Sequence, residues 1–106
     1  VGKMEKRLKK TDEFNFFVKD DKIKRKILEV AEFVEGHIKK KYPKVKFEII
    51  LDYDGIDEDI IMDIVFEKTP FKKGIEIVKD VRKRIRDKFI KLPLPITILA
   101  SWGNYI

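Results

Sequence analysis

The segment that most constrains the fold is Lys44–Glu67, where two apolar-rich runs flank the dipeptide Asp54-Gly55. Asp-Gly between alternating apolar runs is the strongest short-range signal for a β-hairpin, because a tight two-residue turn needs positive φ at both central residues. Successive side chains of a strand point to opposite sides of a sheet, so the alternation divides the hairpin into two faces. The sequence therefore predicts a hairpin that turns at Asp54-Gly55 and offers one apolar face to a core.

The faces follow from the centre of the turn. With the turn between Asp54 and Gly55, for example, Ile49 pairs with Ile60, and a loop lengthened symmetrically keeps the same pairs. The face predicted to lie in the core then carries Val45, Phe47, Ile49, Leu51, Ile60, Met62 and Ile64. Ile50, Ile61 and Val65 lie on the other face among charged residues.

Two amphipathic stretches flank the hairpin and predict helices. The first begins at Asp20 or Asp21, either of which can cap a helix, and ends near Lys41 because Pro43 follows. The second follows Thr69-Pro70 and extends to about Phe89. Each has apolar residues at helical spacing, so both are expected to cover the apolar face of the hairpin.

Two further segments read as strands, Glu13–Lys19 with alternating Phe14, Phe16 and Val18, and Ile96–Ser101. The order strand, helix, strand, strand, helix, strand predicts an α+β fold of the ferredoxin-like βαββαβ type, an antiparallel sheet with two helices on one face. If residues 13–19 are helical, the prediction becomes αββαβ, a three-stranded sheet with an N-terminal helix. Residues 1–12 are basic and are predicted to be a flexible segment before a single domain at 13–106, since 106 residues suit one compact domain.

Composition limits the classes of function. The chain is 42% charged and contains no glutamine, a composition typical of thermophiles, and its net charge of +6 permits an anionic partner such as nucleic acid. The absence of cysteine removes disulfides and thiolate chemistry and favours a cytoplasmic location. No apolar run is long enough to cross a bilayer, so no membrane association is predicted.

Residues 52–63 contain six carboxylates and no basic side chain. Hard cations prefer several oxygen ligands, and Asp52, Asp57 and Asp59 are predicted to share a face, which makes them a weak candidate for a divalent-metal site. Their spacing differs from that of a calcium-binding loop. The competing interpretation is a solvated turn whose charge protects the hairpin from aggregation.

The second predicted helix has a basic ridge along one flank. Such a ridge could follow the phosphates of nucleic acid, and it consists of Lys72, Lys79, Arg82, Lys83 and Arg86. The competing interpretation is a solvated helix with pairs such as Asp80 and Arg84. RNA recognition on the sheet is disfavoured, because the third predicted strand has Asp59 and Asp63 where stacking aromatic residues would be needed.

No residue is assigned to catalysis. His37 is the one histidine, and a general base would need an orienting partner and a nucleophile, whereas packing at the edge of the core explains His37 more simply. The five glycines are scattered and form no phosphate-binding loop. An enzymatic function is therefore not expected, although it stays open, and no cofactor is predicted.

The leading hypothesis concerns the sheet face away from the helices. Two helices on the opposite side cannot cover the apolar residues of this face, and a large exposed apolar surface usually marks a binding site. The predicted interface consists of Phe17, Ile50, Ile61, Val65 and Trp102. The sequence thus predicts a small non-enzymatic interaction or regulatory module that forms a homodimer or binds a partner protein. Nucleic-acid binding through the basic ridge is the first alternative, and metal binding at the acidic turn is the second.

Overall fold

The computed structural model describes residues 8–89, 91 and 95–103. In chain order the elements are β1 (Lys9–Lys10), α1 (Asp12–Phe17), α2 (Asp21–Lys41), β2 (Lys46–Asp54), β3 (Asp59–Glu67), α3 (Phe71–Lys88) and β4 (Ile96–Trp102). The α+β class is therefore confirmed. None of the described helices combines the length and the apolar character needed to span a membrane.

The sheet is mixed, with the strands in the order β1-β2-β3-β4. The central pair β2 and β3 is antiparallel, whereas β1 runs parallel to β2 and β4 runs parallel to β3. Parallel neighbours need a crossover connection, and α3 provides it between β3 and β4. A wholly antiparallel sheet of the ferredoxin-like type is thus not confirmed.

The predicted strand at Glu13–Lys19 is wrong, because this segment contains helix α1. The Thr11 side chain accepts a hydrogen bond from the Phe14 amide and caps the helix, and Asp12 lies in the first turn, where a negative charge is favourable. Phe14 is 1% exposed in the core, while Phe16 is 66% exposed. The helix agrees with the alternative αββαβ prediction, but the sheet has four strands rather than three.

The start of the described chain is part of the sheet. Leu8 is buried in the core, and Lys9 and Lys10 pair with Ile50 and Leu51 of β2. These residues belong to the segment predicted to be flexible, and residues 1–7 of that segment lie outside the described part of the chain.

One core lies between the sheet and the helices. Alternate residues of β2 and β3, from Ile49 and Leu51 to Phe66, are buried against the apolar sides of α2 and α3. The two faces of the hairpin are therefore assigned as predicted. Full burial of one such apolar side chain contributes about 1.5–3 kcal/mol, which explains why the helices lie on this side of the sheet.

The predicted position of the turn is wrong. Ile49 pairs with Ile64 and Asp54 pairs with Asp59, so the loop comprises residues 55–58. The Asp54 carboxylate accepts the Ile56 amide at 2.9 Å, and the positive φ of 53° belongs to Glu58 rather than to Gly55. The partner of Ile49 is displaced by four residues, an even number, so every side chain remains on its predicted face.

Candidate functional site

The sheet face away from the core is here named the open face, and no helix of the described chain covers it. Its apolar residues are Ile50, Ile61, Val65 and Leu99, and its acidic residues are Glu48, Asp52, Asp54, Asp59, Asp63 and Glu67, with Lys46 opposite Glu67 at one end. Leu99 is 39% exposed, and the other three apolar residues are partly buried. The open face therefore combines an apolar surface with negative charge.

Asp63 lies at the centre of this face. Ile50 is its partner on β2 and Leu99 is its partner on β4, while Ile61 and Val65 lie two residues away on β3 itself. Side chains directly across a sheet are about 4.5–5.5 Å apart at Cβ, and those two apart on a strand are about 6.7 Å apart. Four apolar side chains thus surround one carboxylate.

Hydroxyl groups hold the carboxylates of the open face. Ser101 Oγ lies 2.8 and 2.9 Å from the two oxygens of Asp63, and the hydroxyl groups of Thr11 and Thr97 donate to Asp52 and Asp59. Among the residues that the structure describes, none donates a hydrogen bond to the buried Oδ1 atom of Asp59.

Little of the charge on the open face is compensated. Lys9 forms an ion pair with Glu48 at 3.0 Å, but within the described residues no lysine or arginine pairs with the aspartates of this face. Neutral hydroxyl groups fix the position of a carboxylate without cancelling its charge. The centre of the open face is therefore negative.

The structure divides the predicted interface between two surfaces. Ile50, Ile61 and Val65 lie on the open face, whereas Phe17 stacks on Tyr53 on the helix side with ring centroids 5.0 Å apart. Trp102 is the β4 partner of the buried Phe66 and donates from Nε1 to the Thr69 carbonyl oxygen at 2.9 Å.

Two corrections to the predicted interface follow. Phe17 belongs to a helix rather than a strand, and the register of β4 turns Trp102 inward. Leu99 was not predicted as part of the interface. The alternation of residues 96–101 places Leu99 on one of the two faces of β4. Only the pairing register with β3 shows that this face is the open one.

The three residues of the weak metal prediction are separated. Asp57 is exposed in the loop, while Asp52 on β2 and Asp59 on β3 accept hydrogen bonds from the hydroxyl groups of Thr11 and Thr97. Among the residues that the structure describes, no three acidic or histidine side chains are arranged to hold a metal ion. The structure thus adds no support to the metal hypothesis.

The basic ridge is divided as well. Lys72, Lys79 and Lys83 are exposed, but Arg82 donates from Nε and Nη2 to the Ile98 carbonyl oxygen at 3.2 and 2.6 Å. Arg82 thereby satisfies a carbonyl group on the outer edge of β4, and Arg86 lines a groove of about 440 Å³ beside it. Nucleic-acid binding through the whole ridge stays a prediction.

His37 belongs to a polar cluster between α2 and α3, here named the Asp80 cluster. Its Nε2 atom lies 2.8 Å from Asp80 Oδ2, and the same oxygen accepts from Lys41 Nζ at 3.0 Å and from the Tyr42 hydroxyl at 3.2 Å. Arg84 approaches the other oxygen at 3.7 Å. The sequence predicted only the Asp80 and Arg84 pair, because the other partners are 38 to 43 residues away in the chain.

The Asp80 carboxylate is strongly stabilised in its charged form. Burial alone would raise the pKa of Asp80, but hydrogen bonds from His37, Lys41 and Tyr42 outweigh it and lower the pKa to about 2. Burial and the nearby Asp80 charge raise the pKa of Tyr42. Within the described residues His37 forms no further hydrogen bond. The contacts to Asp80 connect the end of α2 to α3, so the cluster stabilises the packing of these two helices.

Part of the chain is similar to a protein from an archaeon. Over 64 residues it is 44% identical to uncharacterized protein MJ0991 of Methanocaldococcus jannaschii. The matched region covers 60% of this chain and 44% of that protein, so the chain spans less than half the length of its relative. No family model matches the chain, and no solved structure matches it.

Proposed function

We propose that this protein is a non-enzymatic interaction module that binds a partner protein through the open face. The observation that supports this most directly is the ring of Ile50, Ile61, Val65 and Leu99 around Asp63. In many protein interfaces a few central residues contribute most of the binding energy. The contacts around them contribute little energy but keep water out. The absence of cysteine from the chain supports a cytoplasmic location for this function.

The chemistry of the face favours a basic partner. Ser101 has one hydroxyl hydrogen for the two oxygens of Asp63, so most of the acceptor capacity of that carboxylate is free. An arginine or lysine flanked by apolar side chains would supply donors to the carboxylates and cover the apolar ring.

A second copy of the chain is the partner that the sequence predicted. A two-fold dimer with its axis at Asp63 would bring two carboxylates together in a dry interface. An uncompensated buried charge costs several kcal/mol. The charge of Asp63 therefore favours, as the partner, a different protein with a basic contact surface. A homodimer would have to place its two-fold axis away from Asp63.

A titration with synthetic peptides followed by nuclear magnetic resonance tests the proposal. Two amphipathic helical peptides share a leucine face, and one carries arginine where the other carries glutamate. We expect only the arginine peptide to shift the amide signals of Ile50, Asp63 and Leu99. Asp63→Asn should weaken this binding at least about tenfold, because the partner cation loses its counter-charge.

The isoleucine residues Ile61 and Ile56 provide a variant and its matched control for the same titration. Ile61→Lys places a charge on the open face and should abolish binding, whereas Ile56→Lys changes a side chain that is 94% exposed in the hairpin loop and should not. Binding that survives Ile61→Lys, or an equal response to both peptides, would refute the proposal. Sedimentation of the same proteins tests the homodimer, which requires self-association that Ile61→Lys removes and Ile56→Lys preserves.

A further inference from the structure

Two joined depressions lie at the end of the sheet opposite the hairpin loop, where β2 begins and β3 ends. They measure about 350 and 260 Å³ and share Lys44, Val45 and Lys73 in their lining. We name them together the lysine groove, after the residues Lys41, Lys44, Lys46, Lys68 and Lys73. Glu67 is the one acidic residue in the lining. The groove is therefore strongly positive.

Three of the five groove lysines have no acidic partner within the described residues, as is also true of surface lysines such as Lys22 and Lys24. Lys26 and Lys39 on α2 approach Glu29 and Glu35, as is common on a highly charged surface. In the groove, Lys41 binds Asp80 and Lys73 approaches Glu76 at 3.8 Å. Lys44, Lys46 and Lys68 form no ion pair within the described part of the chain. Their charges are available to a ligand.

Part of the groove lining is apolar. Tyr42 is 9% exposed, and the ammonium groups of Lys41 and Lys73 lie 5.6 and 4.9 Å from the centroid of its ring. A cation close to an aromatic ring is attracted by the ring, so Tyr42 helps to position these two lysines. Val45 and Pro70 line the groove beside it. The groove thus places lysines along the rim of an apolar surface.

We propose that the lysine groove binds the sugar-phosphate backbone of single-stranded nucleic acid. Several exposed lysines along an open groove match a chain of phosphates, whose neutralisation releases bound counterions. A site for one small phosphate compound would instead place buried donors at a single point, and the three unpaired lysines are all exposed. Contacts of this kind position a strand without reading its sequence.

The groove lies apart from the basic ridge and meets the open face only at Lys46 and Glu67, at the end of the face away from Asp52 and Asp59. It involves none of the five residues of the basic ridge, and the acidic residues of the open face would repel phosphates. This nucleic-acid site therefore does not depend on the protein-binding proposal, and each can fail without the other.

Fluorescence anisotropy with a labelled single-stranded RNA of mixed sequence tests the groove. The variant K44Q/K46Q/K68Q removes the three unpaired lysines. The control K22Q/K24Q/R25Q removes the same charge from the other end of α2, about 25 Å away at ~1.5 Å per residue. Thermal melting confirms that each variant is folded.

We expect salt-sensitive binding by the natural sequence and at least a tenfold loss in the groove variant. The slope of log affinity against log salt should fall by about 2, because each phosphate contact with a single strand contributes about 0.7. The control should retain both the affinity and the slope.

Four results would overturn the proposal. The first is no binding at low salt, and the second is an equal loss in the groove and control variants. The third is displacement of the RNA by inorganic phosphate at constant ionic strength, which would identify a site for a single phosphate group. A loss found in K79Q/K83Q/R86Q and absent from the groove variant would assign binding to the basic ridge and likewise refute the groove.

Discussion

The imidazole of His37 lies 2.8 Å from the carboxylate of Asp80, and this contact joins two helices that are distant in the chain. Lys41 and Tyr42 donate to the same oxygen, so three groups from the end of α2 converge on one residue of α3. The side chains of His37 and Asp80 are only 17% and 13% exposed. Water therefore has little access to these two side chains, and the hydrogen bond between them is only weakly screened.

We expect Asp80→Asn to destabilise the protein by about 2 kcal/mol at pH 7, since a pKa shift of one unit corresponds to about 1.4 kcal/mol. The folded-state pKa of Asp80 is about 2, below the ordinary value of 3.8. The stabilisation is therefore complete well above pH 3.8 and disappears as the pH falls towards 2. Urea unfolding of both proteins across this range measures the difference.

Asp87→Asn is the control for this prediction, because Asp87 is exposed on the same helix. Its effect should stay within about 0.5 kcal/mol at every pH. A difference between Asp80→Asn and the natural protein that persists unchanged at pH 2 would contradict the assigned cause.

Gly74 and Gly36 should respond oppositely to alanine. A Cβ atom at Gly74 would lie 2.6 Å from Trp102 Cζ2 and 3.2 Å from Phe66 Cδ2, whereas one at Gly36 would meet nothing within 4 Å. We expect Gly74→Ala to destabilise by about 1–3 kcal/mol through overpacking. Gly36→Ala should stabilise α2 by about 0.5–1 kcal/mol.

Thermal unfolding compares the two glycine variants, and tryptophan emission reports the surroundings of Trp102. Gly74→Ala should change the emission, while Gly36→Ala should leave it unchanged. Equal stabilities of the two variants would show that α3 and β4 are not packed as described.

Phe14 and Phe16 distinguish the helix α1 from the predicted strand. In a strand the two rings would share a face and contribute similarly, but in the structure Phe14 is 1% exposed and Phe16 is 66% exposed. Phe14→Ala should therefore cost about 3–5 kcal/mol, and Phe16→Ala should cost less than about 0.5 kcal/mol. Chemical denaturation measures both, and similar losses would support the strand.

The hairpin loop provides a further test. Gly55 has no positive φ, and its nearest contact for a Cβ atom is Tyr53 Cε2 at 4.0 Å, so Gly55→Ala should be neutral or stabilise by up to about 1 kcal/mol. Glu58 has a φ of 53°, and Glu58→Gly should relieve part of a cost of about 1–2 kcal/mol. A tight turn at Asp54-Gly55 predicts the reverse for Gly55→Ala, and melting temperatures decide between them.

Local periodicity was sufficient for much of the fold. The alternation in Lys44–Glu67 assigned both faces of the hairpin, and helical spacing located α2 and α3. The same alternation brought Ile50, Ile61 and Val65 to the open face. These predictions held because each depends on residues a few positions apart.

The tertiary structure decided the features that depend on distant partners. The hydroxyl that caps α1, from Thr11, is also held by Asp52, 41 residues away, and a short aromatic segment without that partner reads equally well as a strand. The parallel register of β4 turned Trp102 inward and placed Leu99 beside Asp63. Folding likewise assembled the Asp80 cluster and the lysine groove. Sequence by itself determined which sides of each element are apolar, because that is a local repeat, whereas only the packed chain could decide which elements meet there.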